Sequence, residues 1–221
     1  MKDNAMVKPH SVLIVGGGVA GLSIATKLGR SLGRSGKAEI TLIDASPIHV
    51  WKPMLHTFAA GTSNSYQQRI SMVVQANRFS FRFLPGAMKS VDADSRTLIT
   101  SPIRSKDGNL VINERTLKYD TLILAAGSRA NDFDTSGVQE HCFFIDSLRQ
   151  AENFNDSFYD QLLQTAETGR TLDIAIVGGG ATGVELAAEI SQLITVAETY
   201  GAGDLHPKLN LTLIESSPRI L

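Results

Sequence analysis

The sequence predicts an α/β fold in which one strand–helix–strand unit occurs twice, with an inserted antiparallel β-meander and an incomplete second domain. Three observations lead to this expectation. A glycine-rich junction between an apolar strand and a helix opens the chain, the same pattern returns 162 residues later, and short strand-like segments lie between the copies. Short apolar strands separated by a helix are typical of parallel βαβ units.

The first copy begins with an apolar stretch, residues 12–15, that runs directly into Gly16-Gly17-Gly18. Apolar residues at helical spacing continue from Leu22 to about Leu32, which predicts a helix. Residues 38–44, AEITLID, then have the composition of a second buried strand.

The second copy repeats both halves of this unit. The run Asp173–Gly183 reads DIAIVGGGATG, and its glycines fall at the spacing of the first copy. Further along, TLIDASP at 41–47 is matched by TLIESSP at 212–218, with five of seven positions identical. The whole βαβ unit is therefore duplicated. The paired glycines are Gly16 with Gly178, Gly18 with Gly180, and Gly21 with Gly183.

Between the copies, short strand-like segments predict the antiparallel meander. A turn-forming sequence, Asp107-Gly108-Asn109, separates the last two of them. Residues 120–125 form one more apolar strand, which ends at Ala126-Gly127. The meander segments are Phe81–Leu84, Lys89–Val91, Thr97–Ile103 and Leu110–Ile112.

A helix is predicted over residues 146–168, with Ser147 as its N-cap and Gly169 as its terminating residue. We accordingly expect a first domain over 1–145 and the first part of a second domain over 146–221. A nucleotide-binding sheet normally continues with further strands, so we expect the chain to be an incomplete form of a longer protein.

The glycine spacing has a chemical reason. In a G-x-G-x-x-G junction the first glycine permits the tight turn, the second lets main chain approach a diphosphate, and the third lets the helix pack on the strand. The diphosphate then meets free N–H groups and the positive end of the helix dipole. These features predict tandem Rossmann-like dinucleotide-binding domains. The alternative is a glycine-rich turn that holds no ligand.

An acidic residue ends the second strand of each copy, Asp44 in the first and Glu215 in the second. Such a carboxylate accepts hydrogen bonds from the adenosine ribose, and it repels a 2′-phosphate. The second copy is therefore expected to prefer NAD to NADP. The alternative is a solvated acid at the end of a strand.

Composition excludes several classes of protein. Lys and Arg total 21 against 22 Asp and Glu, so the basic excess of a nucleic-acid-binding protein is missing. Cys142 is the single cysteine, which excludes a disulfide framework, a thiolate zinc cluster and a redox dithiol within this sequence. No apolar run reaches the ~18 residues of a membrane span. We expect no metal site and a cytoplasmic chain.

Four runs of residues resemble the flavoproteins that have two dinucleotide-binding domains, and among these the type II NADH dehydrogenases. The second run discriminates best, because general disulfide reductases of this architecture carry a CxxxxC motif in that region. The runs are VLIVGGGVAGL (12–22), HVWKPMLHTFAAG (49–61), YDTLILAAGS (119–128) and IAIVGGGATGVELAAEI (174–190).

The resemblance implies that the first copy holds FAD and the second holds NADH. The residues implied for FAD are Gly16, Gly18, Ala20, Gly21, Asp44, Lys52, Met88 (through its backbone), Ala126 and Gly127. Those implied for NAD are Gly178, Gly180, Gly183, Glu185 and Glu215.

Two of these residues are also catalytic candidates. The resemblance places Lys52 near the flavin ring, where a cation would stabilise negative charge, although it could equally be a surface lysine. It places Glu185 near the nicotinamide, in the first turn of the second helix, where pairing with the helix dipole is the alternative. His49 and His56 flank Lys52, and the sequence leaves open whether they surround the flavin or lie in a loop.

The implied activity is hydride transfer from NADH to FAD and onward transfer to a quinone-type acceptor. By resemblance, the complete protein is expected at the cytoplasmic face of a membrane, which it contacts through a C-terminal part, and a homodimer is one assembly it can form. An incomplete form is expected to retain FAD poorly. The alternatives are an NADH oxidase or ferredoxin-type reductase with another acceptor, and a non-catalytic nucleotide-binding module.

Overall fold

The computed structural model describes residues 8–220, which group by their contacts into two compact units. Unit one contains residues 8–50 and 69–128, and unit two contains residues 51–68 and 129–220. The domain boundary that the sequence suggests at residue 145 stays a prediction.

Within residues 8–220 the elements have the following bounds. The strands are β1 (His10–Val15), β2 (Ala38–Asp44), β3 (Ile48–His49), β4 (Ile70–Ser71), β5 (Arg82–Pro85), β6 (Met88–Asp92), β7 (Thr97–Thr100), β8 (Ile103–Arg104), β9 (Leu110–Ile112), β10 (Arg115–Lys118), β11 (Thr121–Leu124), β12 (Leu172–Val177) and β13 (Leu209–Ile214). The α-helices are α1 (Val19–Leu28), α2 (Leu55–Ala60), α3 (Met72–Phe79), α4 (Val138–His141), α5 (Leu148–Thr168) and α6 (Ala181–Thr199).

Unit one is built on a four-stranded parallel sheet in the order β11-β1-β2-β5. The central strand β1 is buried on both faces, because alternate side chains enter two different hydrophobic clusters. Val12 and Ile14 pack with Leu42 and residues of α1 and α3. Leu13 and Val15 pack on the opposite face with residues that include Leu98 of β7. The continuous apolar run of β1 follows from this two-sided burial.

The predicted meander is confirmed for β6 and β7, which form an antiparallel sheet in the order β10-β7-β6 with β10, a strand that the sequence did not predict. Two of its expected segments are placed elsewhere. Residues 81–84 fall largely in β5, which pairs in parallel with β2. This placement buries Leu84 in the same hydrophobic cluster as Leu13 and Val15 of β1. Residues 110–112 pair only with β8, in a separate hairpin around the turn at Gly108.

Unit two contains the second βαβ unit. Strands β12 and β13 pair in parallel from Leu172 opposite Leu209 to Val177 opposite Ile214, with α6 as the crossover helix. The predicted helix ends of α5 are confirmed, since the Ser147 hydroxyl accepts from the Gln150 N–H and Gly169 adopts φ 73°.

Helix α2 belongs to unit two, where it packs against α5 and α6. Leu55 and Phe58 are each 3% exposed, so the apolar residues of the HVWKPMLHTFAAG run form part of the core of this unit. None of the helices in residues 8–220 combines the length and the apolarity that crossing a bilayer requires.

Gly21, the third glycine of the G-x-G-x-x-G motif in the first copy, allows the close packing of α1 on β1 to be tested. A methyl group on Gly21 would overlap the carbonyl oxygen of Gly16, which is main chain and cannot rotate away. We expect Gly21→Ala to lower the free energy of unfolding by about 1–3 kcal/mol, as overpacking does. Urea unfolding followed by circular dichroism measures this change.

Gly18→Ala is the matched control, because a methyl group there would meet no atom within 4 Å and φ is −68°. Its free energy of unfolding should fall by no more than about 1 kcal/mol, the order of the N-cap preference for glycine over alanine, and by less than that of Gly21→Ala. Equal effects of the two substitutions would contradict the packing role of Gly21.

Candidate dinucleotide-binding sites

The first glycine-rich loop, residues 16–18, joins β1 to α1 in unit one. Gly16 adopts φ 99°, a conformation that favours glycine, and its N–H donates to the carbonyl of Ile43 at 2.8 Å. A Cβ at this position would also overlap the carbonyl of Ala125. The first glycine is therefore required both by its backbone angle and by the close approach of the neighbouring strand.

Gly18 lies on the open side of this loop. It is the N-cap of α1, no side chain caps the helix, and the first helical turn carries no acidic residue. A Cβ on Gly18 would meet nothing within 4 Å, and Ala20 in the following turn is exposed. The N-terminus of α1 thus offers main-chain N–H groups and space beside them, which is the arrangement that binds an anion.

Asp44 holds the buried side of the same loop. Its Oδ2 accepts from the Gly17 N–H at 2.6 Å and its Oδ1 accepts from the Ser46 N–H at 2.7 Å. A carboxylate has about four lone-pair positions, so two remain for the hydroxyls of a ribose. Asp44 can therefore fix the loop and bind a nucleoside together.

The second loop, residues 178–180, repeats this arrangement in unit two. Gly178 adopts φ 110° and its N–H donates to the carbonyl of Ile214 at 2.9 Å, as Gly16 does to Ile43. Gly180 is the N-cap of α6, with open space where a Cβ would be. A Cβ on Gly183 would overlap the Gly178 carbonyl.

Glu215 is the counterpart of Asp44 in the second copy. Its Oε2 accepts from the Gly179 N–H at 2.6 Å and its Oε1 from the Ser217 N–H at 2.8 Å. These N–H donors, with the Ser216 hydroxyl, lower the pKa of Glu215 from 4.5 to about 2. Glu215 therefore carries a negative charge over the physiological range, which disfavours a 2′-phosphate at this position.

The remaining unit-one residues expected to bind FAD lie on neighbouring elements of the same sheet edge. The Ala125 N–H donates to the Val15 carbonyl at 2.7 Å, which holds the turn carrying Ala126 and Gly127 beside the end of β1. Gly127 adopts φ 74°.

Met88 is the half-buried first residue of β6. Met88 lies two residues after Gly86, whose N–H donates to the carbonyl of Asp44 at 2.9 Å. The structure thus brings together loop one, Asp44 and the 125–127 turn, with Met88 close by in the chain.

Lys52 lies in unit two, at the start of a short 3₁₀-helix that precedes α2. Its Nζ is 2.5 Å from the Oδ1 of Asp146, and 45% of its side chain is exposed. Asp146 Oδ2 also accepts from the Ala130 N–H at 3.1 Å. The ammonium group of Lys52 is thus oriented by a carboxylate that sequence reasoning did not identify.

The expected position of Glu185 in the first turn of its helix is wrong. Gly180 is the N-cap and α6 begins at Ala181, so Glu185 is the fifth helical residue and lies beyond the first turn. Its Oε2 is instead 3.2 Å from Nδ1 of His56 on α2. The helix dipole falls off within the first turn, so dipole pairing gives a poor account of this glutamate.

Further polar contacts bind the segment 51–68 to α5 and α6. Thr62 donates to Glu189, one helical turn after Glu185, and the Ser65 hydroxyl donates to Glu152 Oε1 at 2.7 Å. The Asn155 amide donates to the Ala59 carbonyl at 3.1 Å. Glutamates at an i, i+4 spacing are the sequence signal that could have revealed this face of α6.

Known proteins match this chain over nearly all of its length. Residues 10–221 match the family described as pyridine nucleotide-disulphide oxidoreductase. The type II NADH:quinone oxidoreductase of Haemophilus influenzae is 35% identical over 96% of this chain and 52% of its own length. The protein of the same name from Staphylococcus epidermidis is 26% identical over 95% of this chain and 50% of its own. The chain spans about half the length of these curated relatives.

Solved structures share the fold. The NDH2 structure from Plasmodium falciparum in complex with NADH has a TM-score of 0.78 at 23% identity, and covers 96% of this chain and 42% of its own. The sulfide:quinone oxidoreductase from Aquifex aeolicus has a TM-score of 0.71 at 21% identity, and covers 96% and 44%.

The pKa of Glu215 gives a prediction for acid. Its pKa is lowered on folding, so ionised Glu215 stabilises unit two above about pH 4.5, and this contribution is lost as the pH falls from 4.5 to about 2. We expect carbon NMR to place the carboxyl midpoint near 2. The difference in unfolding free energy between the unmutated chain and Glu215→Gln should shrink over the same range. A midpoint near 4.5 would contradict the hydrogen bonds from Ser217 and Gly179.

Proposed function

This chain belongs to the pyridine nucleotide-disulphide oxidoreductase family, and from that premise we propose that it supplies the FAD-binding and NADH-binding loops of an NADH:quinone oxidoreductase. The observation that carries the proposal is the repetition of one binding arrangement. Each copy has a first glycine with a positive φ (Gly16, Gly178), an acid bonded to the middle glycine (Gly17, Gly179), and open space beside the N-cap glycine of the helix (Gly18, Gly180).

The residues present fit two dinucleotides. Gly18 and Gly180 leave space beside an uncapped helix N-terminus. Asp44 accepts two hydrogen bonds within the fold and keeps two lone-pair positions for a ribose, and Glu215 accepts three and keeps one. When bound, the two dinucleotides supply hydride transfer from a reduced nicotinamide to a flavin. The part of this chain in that chemistry is to bind and orient both molecules, since the transfer requires alignment and no obligatory protein acid.

The assignment of loops to cofactors is part of the proposal. Loop one, with Ala20, Gly21, Met88, Ala126 and Gly127, takes the FAD, in keeping with the resemblance of these residues to their counterparts in flavoproteins. Loop two takes NADH, and the ionised Glu215 selects it against NADPH.

Lys52 and Glu185 are the charged residues proposed to act near the reacting rings. The cation of Lys52 would stabilise negative charge on a reduced flavin, with Asp146 fixing its position. The carboxylate of Glu185 would orient the nicotinamide, with His56 as its partner. Both side chains are about half exposed, which leaves them accessible to a ligand.

The acceptor and the cellular setting complete the proposal. Electrons pass to a quinone, the acceptor in the names of the curated relatives. Redox dithiol chemistry within this sequence is excluded by the single cysteine. We further propose a peripheral position at the cytoplasmic face of a membrane, which brings the protein to its quinone, and assembly as a homodimer. Nucleic acid is not a partner on the grounds of charge.

The proposal is tested by mixing purified protein, loaded with FAD, with NADH in the absence of oxygen. The visible absorbance of the flavin should bleach, and it should return when a ubiquinone or menaquinone analogue is added. Return only with oxygen or with a ferredoxin would identify another acceptor. Protein that binds NADH without bleaching flavin would contradict an oxidoreductase and favour a nucleotide-binding module.

Glu185→Ala tests the position assigned to the nicotinamide. Loss of an orienting charged contact should raise the KM for NADH about tenfold while the flavin content stays normal. Glu189→Ala is the matched control, because Glu189 lies one turn further along α6 and also bonds to the segment 51–68. An unchanged KM for Glu185→Ala, or equal changes in both variants, would contradict the assignment.

A further inference from the structure

Loop one has a buried histidine behind it. His49 is 6% exposed, and its Nδ1 lies 2.9 Å from the carbonyl oxygen of Gly17. A carbonyl oxygen can only accept a hydrogen bond, so Nδ1 must carry the proton. The contact therefore fixes the tautomer of His49 as well as the direction of the Gly17 carbonyl.

The two hydrogen bonds of Gly17 constrain both of its peptide groups. Asp44 holds the Gly17 N–H at 2.6 Å, and His49 holds the Gly17 carbonyl. The peptide bond is planar and trans, so the Gly18 N–H points opposite to the Gly17 carbonyl. A carbonyl held toward the buried side therefore turns the Gly18 N–H toward the open side of the loop.

The support for His49 comes from a short two-stranded ladder. In this ladder β3 pairs with β4, with His49 opposite Ile70. The Met72 N–H donates to the Pro47 carbonyl at 2.9 Å, and the Met72 side chain packs against Gly17. The ladder and Met72, the residue that follows it, thus present one hydrogen-bond donor and one apolar group to the middle glycine.

The residue of the second copy that corresponds to His49 in sequence has no such donor. His49 lies five residues after Asp44, and the residue five after Glu215 is Ile220. Ile220 Cγ2 lies 2.7 Å from the position that a Cβ on Gly179 would take, so it makes the apolar contact with Gly179 that Met72 makes with Gly17. Among residues 8–220, loop two is therefore supported by Glu215 and by an apolar contact.

From this asymmetry we infer that His49 is a positioning residue of loop one, which orients the Gly17–Gly18 peptide for the diphosphate of the bound dinucleotide. It acts through the main chain and touches neither cofactor. The inference rests on the proposed binding of a dinucleotide by loop one. It adds a residue, outside the glycine motif and the strand-end acid, on which affinity in the first copy alone depends.

The experiment measures the affinity for ADP, which carries the adenosine and diphosphate recognised by such a loop. All variants carry Gly180→Ala, which puts a methyl group in the open space of loop two and restricts ADP to loop one. His49→Leu and His49→Asn are compared in this background. The two new side chains have nearly the same shape, and only asparagine keeps an N–H donor.

We expect His49→Leu to weaken ADP binding about 5- to 10-fold, and His49→Asn to restore it to within about twofold. Equal affinity in all variants, or an equal loss in both, would overturn the inference and leave the proposed function standing. ADP that binds none of the proteins, including the one with His49, would overturn the proposed function of loop one and this inference with it.

A second measurement is made on the unmutated protein, and a substituted protein serves only to assign the signals. Nitrogen NMR of the unmutated chain should show His49 protonated on Nδ1, with the spectrum of His49→Asn identifying its signals among the five histidines. Protonation of neutral His49 on Nε2 would overturn the inference even if His49→Leu fails to fold.

Discussion

The hydrogen bond between the middle glycine N–H and the strand-end carboxylate is the interaction on which both binding loops depend. It measures 2.6 Å in each copy, from Gly17 to Asp44 and from Gly179 to Glu215. Because the carboxylate satisfies the N–H of the middle glycine, the peptide groups that follow this glycine are free to form the open N-terminus of the helix. The same acid can accept from a ribose, so one carboxylate links the conformation of the loop to recognition of the nucleoside.

The segment that distinguishes this chain from the disulfide reductases has a different kind of support. Helix α2 packs on α5 and α6 through buried residues such as Phe58, while polar contacts at its margins join it to three glutamates and Asp146. Lys52 and His56 are thereby held by carboxylates of unit two. The charged groups proposed to act in the reaction are thus built onto the nucleotide-binding unit that contains Glu215.

The two βαβ units can be predicted from the sequence, because glycine spacing, strand length and the strand-end acids are local patterns. The strand of residues 82–85 was misassigned because its short apolar run fits a meander as well as a parallel sheet, and only its pairing with β2 decides. His49 and His56 were undecided for the same reason. Their partners, Gly17 and Glu185, are far away in the chain, and no local pattern reports such a contact.

The duplication has preserved the groups that define the anion site and has changed those behind it. The first, middle and third glycines and the strand-end acid keep their angles and hydrogen bonds in both copies. Behind the middle glycine, Ile220 of the second copy makes the apolar contact that Met72 makes in the first, and no residue among 8–220 takes the place of His49. A dinucleotide bound as proposed would contact only the open side of the loop, so two copies that share a motif can differ in affinity through residues that the ligand would not touch.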